Sequence, residues 1–159
     1  RQDVNIEQSC KQAINYVQSA VTAKSQSVSF RGDRLFETVH VDPKRFRQIL
    51  HNLLDNAIKF GPEEASIEVR ATTLQEEAMV AISISNDGSF IPPEKREHLF
   101  TPFVQLDSGL NRKHEGTGLG LVLVDRFTQM HGGRVQVESS EEKGTCFTVV
   151  FPIDPPEEE

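Results

Sequence analysis

Residues 46–60 read FRQILHNLLDNAIKF, and the spacing of their apolar side chains decides the fold. Phe46, Ile49, Leu50, Leu53, Leu54, Ala57 and Ile58 recur at i, i+3, i+4, i+7, i+8, i+11 and i+12. On an α-helix that spacing makes one continuous stripe, the face that turns toward a core. Asp42 offers an N-cap side chain, Pro43 suits the first helical position, and Gly61-Pro62 stops the helix.

A second stripe runs along the edge of the first. Asn52, Asn56 and Lys59 stand at i, i+4 and i+7. Asparagine costs roughly half a kcal/mol or more against alanine inside a helix, so two at this spacing need a reason. A neutral amide oxygen is a hard ligand suited to Mg²⁺, and a lysine one turn on suits a phosphate. Taken alone, the stripe reads more simply as a solvated helix edge. The rest of the chain reverses that order.

Toward the N-terminus, Ile6, Cys10, Ala13, Ile14, Val17 and Val21 predict one amphipathic helix over 5–24, with Cys10 as a small hydrophobe in its apolar face. Segments 28–30 and 35–41 are short and β-prone, split at Gly32-Asp33, a turn signal. Toward the C-terminus, segments 65–74 and 78–85 alternate with period two. Ile67 and Val69 alternate with Glu68 and Arg70, then Val80, Ile82 and Ile84 with Ala81, Ser83 and Ser85. Two strands with one face packed on helices follow from that pattern.

Beyond an irregular stretch, a short helix over 94–100 begins near Pro93, and Phe103 follows it. Residues 104–115 are polar, hold Gly109 and Arg112-Lys113-His114, and read as a mobile loop long enough to imply function or disorder. A second strong helix over 116–131 closes at Gly132-Gly133. Val135/Val137 and residues 146–151 complete a hairpin across 139–144. This order of elements predicts an α/β two-layer sandwich, a mixed β-sheet covered on one face by helices.

Composition bounds the function. The 159 residues suit one domain with a real core, residues 1–152, followed by an acidic Pro/Glu tail or linker at 153–159. A hydrophobic content of 36% and a charged content of 26% are those of a soluble globular chain. The net charge of −7 argues against general nucleic-acid binding. No apolar run approaches the ~20 residues of a membrane span, and no signal-peptide pattern occurs. Cys10 and Cys146 make neither a disulfide framework nor a metal pair, so a reducing interior is the default. The chain begins at Arg1 rather than Met, which suggests a piece of something longer.

Residues 115–121 read EGTGLGL. Three glycines at alternate positions open a helix directly after a basic loop. Glycine permits close backbone approach, and free N–H groups at a helix N-terminus bind anions. The G-x-G-x-G spacing is not the dinucleotide fingerprint. Alone it could be a plain loop. Beside the Asn-Asn-Lys stripe and the Arg112/Lys113 loop it gains meaning, because all three suit one polyphosphate.

Four boxes in order, NLLDNAIKF, NDGSFIP, LFTPF and GTGLGL, resemble the ATP-binding catalytic domain of sensor histidine kinases. The resemblance runs from about residue 5 to 152. It implies the Bergerat-type ATP-binding fold shared with gyrase, mismatch-repair ATPases and a heat-shock chaperone. Carried onto this chain, it implies that Asn56 ligates Mg²⁺, that Asn52 belongs to the same polar edge, and that Lys59 contacts phosphate. Phe60 matches an aromatic that flanks the nucleotide. Phe100 and Phe103 match the box that hinges a lid, although plain core packing explains them equally well. Arg112 or Lys113 would reach the phosphates from that lid. Gly116, Thr117, Gly118, Leu119 and Gly120 match the glycine box beneath the phosphates.

One box departs from the family's Asp-x-Gly-x-Gly-Ile pattern, whose Asp accepts a hydrogen bond from the adenine amino group. Alignment on Gly88 and Ile91-Pro92 puts Asn86 at the Asp position and Phe90 at the second Gly. Starting from Asp87 instead would require Gly where Ser89 and Ile91 stand. The Asn86 amide oxygen can still accept from the adenine amine, and its NH₂ could donate to a ring nitrogen. A neutral acceptor in place of a charged one weakens that contact by up to about 1–2 kcal/mol. Phe90 could wall the pocket or obstruct it.

The resemblance therefore implies the catalytic module of a two-component histidine kinase, binding ATP and Mg²⁺ and passing the γ-phosphate to a His on a separate dimerisation domain. None of His40, His51, His98, His114 and His131 lies in a His-Glu or His-Asp phosphoacceptor motif. His51 is expected at the surface, and His131 near a helix C-terminus, where a cation is mildly favoured. The implied partners are that His-containing phosphotransfer domain and a response-regulator receiver domain. The module by itself would be monomeric and cytoplasmic, its parent a homodimer open to membrane anchoring. Two rivals stand beside this reading: a degenerate module that binds partners without nucleotide, and an anti-sigma-type serine kinase. Intact Asn56, Lys59 and glycines weigh against the first, and the long N-terminal helix with GTGLGL against the second. A gyrase-type ATPase fits least, because no transducer domain follows Pro152.

Overall fold

The computed structural model describes residues 2–33, 38–88, 90–96 and 120–153. In chain order they form β1 (Gln2–Asn5), α1 (Ile6–Tyr16), α2 (Gln18–Ala23), β2 (Ser27–Asp33), β3 (Thr38–Val41) and α3 (Pro43–Phe60). Next come β4 (Ser66–Leu74), a 3-10 turn at Gln75–Glu77, β5 (Met79–Asn86), α4 (Pro93–Arg96), α5 (Gly120–Met130), β6 (Arg134–Ser140) and β7 (Gly144–Pro152). Five strands share a sheet in the order β2-β4-β5-β7-β6, parallel between β2 and β4 and antiparallel elsewhere. The mixed sheet with helices expected from the sequence is what forms.

Period two puts the core on one face. Val69, Ile84 and Phe147 lie side by side across β4, β5 and β7, as do Ala71, Ile82 and Val149. All six are buried in one cluster with the α3 stripe, Phe46 through Ile58. Arg70, Ser83 and Thr148 form the matching row on the other face, exposed or half-buried. Each fully buried Leu, Ile or Phe contributes about 1.5–3 kcal/mol of transfer free energy, so this single seam dominates the stability.

The α3 start is as expected: the Asp42 carboxylate accepts from Lys44 N (3.0 Å) and Arg45 N (3.3 Å), with Pro43 in the first turn. Those backbone N–H bonds, that of Arg45 foremost, hold the Asp42 carboxyl below its usual range. Two other expectations are corrected. The helix predicted over 5–24 is two helices, because Val17 leaves the α-helical path (φ −96°, ψ 6°) and its N–H turns back to Ile14 and Asn15. Gly32-Asp33 is not a turn. β2 runs through it beside Gly32's and Asp33's partners Ala71 and Thr72, while β3 leaves the main sheet to pair with β1. The pairing of β1 with β3 is non-local, so no local pattern in Gln2–Asn5 announced it.

Of the helix predicted over 94–100 the described part is α4, and residues 97–100 lie outside the described residues. Of the helix over 116–131 the described part is α5. It ends with Gly132 N donating to the Gln129 carbonyl and Gly133 N to that of Thr128, the two bonds of a Schellman cap. Among the described residues, no helix is long and apolar enough to cross a membrane.

Candidate functional site

The C-terminal half of α3, the end of β5 and the start of α5 meet around the Asn-rich edge. Asn52, Asn56, Lys59 and Phe60 are all half-buried. Asn52 is engaged at both ends: its Oδ1 accepts from Gln48 Nε2 (2.7 Å) and its Nδ2 donates to the Gly120 carbonyl (3.0 Å). That second bond ties α3 to the first residue of α5, 68 positions away. Lys59 Nζ lies 3.0 Å from Asp55 Oδ2, both partly solvent-exposed. A surface pair of this kind is worth about 0.2–1 kcal/mol, little enough for the ammonium to move to a stronger anion.

Asn86 is the most informative residue. It ends β5 between Ile67 and Thr145, on the inward face, and is 5% exposed. Its Nδ2 donates to the Ala57 carbonyl of α3 at 3.0 Å, while its Oδ1 is buried with no hydrogen-bond partner. The Ala57 oxygen cannot donate, so the amide is oriented by it, with the oxygen as the unused end. A buried acceptor left unpaired costs about 1–3 kcal/mol, and an N–H of a bound molecule would recover that cost. One of the two N–H donors of that NH₂ serves Ala57, and the second is the one that could reach a ring nitrogen.

Asp87, the neighbouring carboxylate, points elsewhere. Its Oδ1 accepts from Ser66 N at 2.8 Å and it is exposed just past the end of β5. Two glycines hold the Asn86 backbone close to its surroundings. Gly88 has φ +83°, and a Cβ there would come within 2.8 Å of Pro62 Cγ. Gly144 has φ +81°, and its Cβ would sit 2.0 Å from the Asn86 carbonyl oxygen. Phe90 is 43% exposed, whereas Ile91 is buried and its N–H donates to Ser139 Oγ at 2.9 Å. Arg112, Lys113, Gly116, Thr117, Gly118 and Leu119 lie outside the described residues, as do Phe100, Phe103, His98 and His114. Gly120 begins α5, where a Cβ would meet Asn52 Cγ only at 4.0 Å.

Two residues escaped the sequence reading. Lys24 Nζ donates to the carbonyls of Ile58 (2.8 Å), Lys59 (3.3 Å) and Gly61 (2.6 Å). Gln26 Nε2 donates to those of Ile58 (3.2 Å), Gly61 (3.3 Å) and Pro62 (3.1 Å), and its own Oε1 is buried and unpaired. A lysine in the last turn of a helix reads as serving that helix. Here it serves another.

His51 and His131 make structural contacts. His51 stacks on Tyr16 with ring centroids 4.6 Å apart, and burial, then Arg47, lowers its pKa. His131 lies at the C-terminal end of α5 as expected, but buried and bridging two segments rather than serving that end as a cation. Its Nε2 accepts from Asp42 N (3.1 Å), so Nδ1 donates to the Phe127 carbonyl (2.6 Å) and the ring is the neutral tautomer. Burial pushes the Cys10 thiol up to about 12, the inert core residue expected. Among the described residues no cluster of three or more His, Cys, Asp or Glu could hold a metal ion.

Comparison with known proteins places this geometry. The family described as histidine kinase-, DNA gyrase B- and HSP90-like ATPase matches residues 41–155. The circadian input-output histidine kinase CikA of Synechococcus elongatus is 40% identical over 116 residues, 73% of this chain and 15% of its own length. This chain spans less than a third of the length of the full-length kinases it matches in this way. Among solved structures, the catalytic domain of histidine kinase ThkA superposes with a TM-score of 0.82 at 25% identity, over 96% of this chain and 95% of that one. Full-length ShkA in complex with AMPPNP gives 0.83 at 27% identity, over 98% of this chain and 32% of that one.

Proposed function

The chain belongs to the histidine kinase-, DNA gyrase B- and HSP90-like ATPase family, and on that premise we propose that it binds Mg-ATP and donates the γ-phosphate to a histidine on a separate domain. The observation that carries this reading is the buried, unpartnered Asn86 Oδ1. An exocyclic amine brings the N–H that this oxygen lacks. Full-length ShkA, 27% identical, is solved in complex with AMPPNP, an ATP analogue, which supports the nucleotide reading.

The residues divide the work by chemistry. Asn86 accepts from the adenine amine, and Ala57 keeps its oxygen turned to that task. Phe60 and Ile91 bring apolar surface to the base. Lys59 leaves Asp55 for the phosphates, and Gly120 opens α5 beside them. Asn56, an uncharged oxygen donor on the same edge, would hold Mg²⁺, a choice that suits a hard cation already shared with phosphate oxygens. The chemistry the ion would supply there is charge neutralisation. Catalysis on this reading is positioning and charge neutralisation, and the γ-phosphoryl group passes to an imidazole nitrogen as the bond to the β-phosphate oxygen breaks. The parent protein's partners follow: a phosphotransfer domain bearing the histidine, then a response-regulator receiver domain. Lacking the acceptor, the chain itself binds nucleotide and turns over little.

Calorimetric titration with a non-hydrolysable ATP analogue, with and without Mg²⁺, tests the proposal. Mg-dependent binding that Asn56→Ala abolishes is the expected result. A folded wild-type chain that binds no adenine nucleotide sinks it and leaves the partner-binding module.

A further inference from the structure

The Ala57 carbonyl accepts from Gly61 N at the α3 cap and from Asn86 Nδ2, while Lys24 and Gln26, both on the turn after α2, donate to the carbonyls of Ile58, Lys59, Gly61 and Pro62 that follow it. Gly61 sits between the two amides. A Cβ there would lie 3.1 Å from Gln26 Nε2 and 3.5 Å from Asn86 Nδ2. We infer that Lys24 and Gln26 are positioning residues, a latch on α3 that keeps the Ala57 carbonyl in place and thereby fixes which end of the Asn86 amide is left for a ligand. The inference rests on the ATP reading for its consequence in base selection, though not for the latch itself.

The latch is aimed by the turn that carries it. Ser25 has φ +54°, the left-handed region that a serine adopts at a cost. Ser25 N donates to the Thr22 carbonyl and Gln26 N to that of Val21, the two bonds of a Schellman cap on α2. This reversal sets the side chains on either side of Ser25 against one target. The backbone is tied down as well, with Glu64 N donating to the Lys24 carbonyl and Ser27 N to that of Ala65. The Lys24 ammonium meets the negative end of the α3 dipole. Gln26 contributes only its donor end, since its oxygen is buried and unpaired, as is that of Asn86. Packing alone would be served by a leucine, so the retained amide argues for the donation itself.

Removal of Lys24 takes one donor from the carbonyl of residue 59, leaves those of 58 and 61 to Gln26 alone, and so loosens Gly61, whose N–H holds the Ala57 carbonyl. The Asn86 amide is then free to rotate. Held, it offers an acceptor and selects a base with an amino group. Rotating, it offers NH₂ as readily, which donates to a keto oxygen.

The test compares the wild-type chain with Lys24→Met, Gln26→Leu and Lys24→Arg, titrated with non-hydrolysable analogues of ATP and of inosine triphosphate. Side-chain amide exchange of Asn86 is followed by NMR without nucleotide. We expect Lys24→Met to weaken the ATP analogue about tenfold and the inosine analogue far less, with Lys24→Arg restoring the ratio. Gln26→Leu moves the ratio the same way, by less. Equal loss of both nucleotides, or an unchanged ratio, overturns the latch as a determinant of the site. If Lys24→Met does not fold, the ratio measured for Gln26→Leu decides alone. If the wild-type chain binds neither nucleotide, the ATP reading fails, and amide exchange decides separately. Faster Asn86 side-chain exchange in the variants then upholds the latch, and unchanged exchange overturns it.

Discussion

The two ends of α3 solve the same problem in opposite ways. At the N-terminal end the free N–H groups are met by Asp42, a neighbour, and the Asp42 N–H itself is met by His131. The Phe46 ring stands edge-on to Phe151 at 5.8 Å, and His131 does the same at 6.2 Å, so the end is closed by apolar packing. At the C-terminal end the carbonyls are met by three distant side chains, and two of those keep a buried oxygen unpaired. One end is fully satisfied and structural. The other retains unused acceptors where a ligand can use them, as functional sites do when they give up stability.

That contrast predicts different failures. Phe46→Ala should cost about 3–5 kcal/mol through the cavity it opens, read as a fall in the urea midpoint, while the folded fraction binds the ATP analogue normally. A matching loss of affinity in the folded fraction would show that the ends are not separable. At the other end Asn86→Leu should weaken the ATP analogue by about 10–50-fold, with urea stability changed by less than about 1 kcal/mol because an unpaired buried oxygen is removed with the amide. Large destabilisation there would mean that the amide holds the fold together and is not reserved for a ligand.

His131→Phe keeps the aromatic contact but strands the Asp42 N–H, at an expected cost of about 1–2 kcal/mol in urea melts and no change in nucleotide affinity. The smallest effect concerns pH. The Asp42 carboxyl is lowered by its backbone N–H bonds, so its contribution is complete above the ordinary aspartate range and is lost as pH falls through its folded value. Asp42→Asn keeps the cap and removes that dependence, which urea midpoints at neutral and acid pH would reveal. A variant as acid-sensitive as wild type would place the acid-labile group elsewhere.

Much of this architecture was legible in the chain. The α3 stripe, its Asp42-Pro43 start and the alternation in β4 and β5 are local patterns, and each formed within a residue or two of its expected bounds. The break at Val17 was not legible, since the apolar spacing continues through it. Nor was the β1 pairing with β3, because a four-residue strand has too little pattern to declare itself. In the candidate site, the resemblance to the family's box, aligned on Gly88 and Ile91-Pro92, points to Asn86 rather than Asp87. The side-chain directions then separated them physically, one inward and one onto Ser66 N.

The sequence by itself determined the helices, the sheet alternation and the order of the boxes, because periodicity and caps act over a few residues. Only the tertiary structure decided what those elements do to one another. Lys24 reaches α3 from 34 to 37 positions away, His131 reaches Asp42 from 89. The orientation of the Asn86 amide depends on a carbonyl 29 positions earlier. Hydrogen-bonding needs are written in the sequence, since every helix end leaves them, but the identity of the group that meets them is set by which distant segment folding brings within about 3 Å.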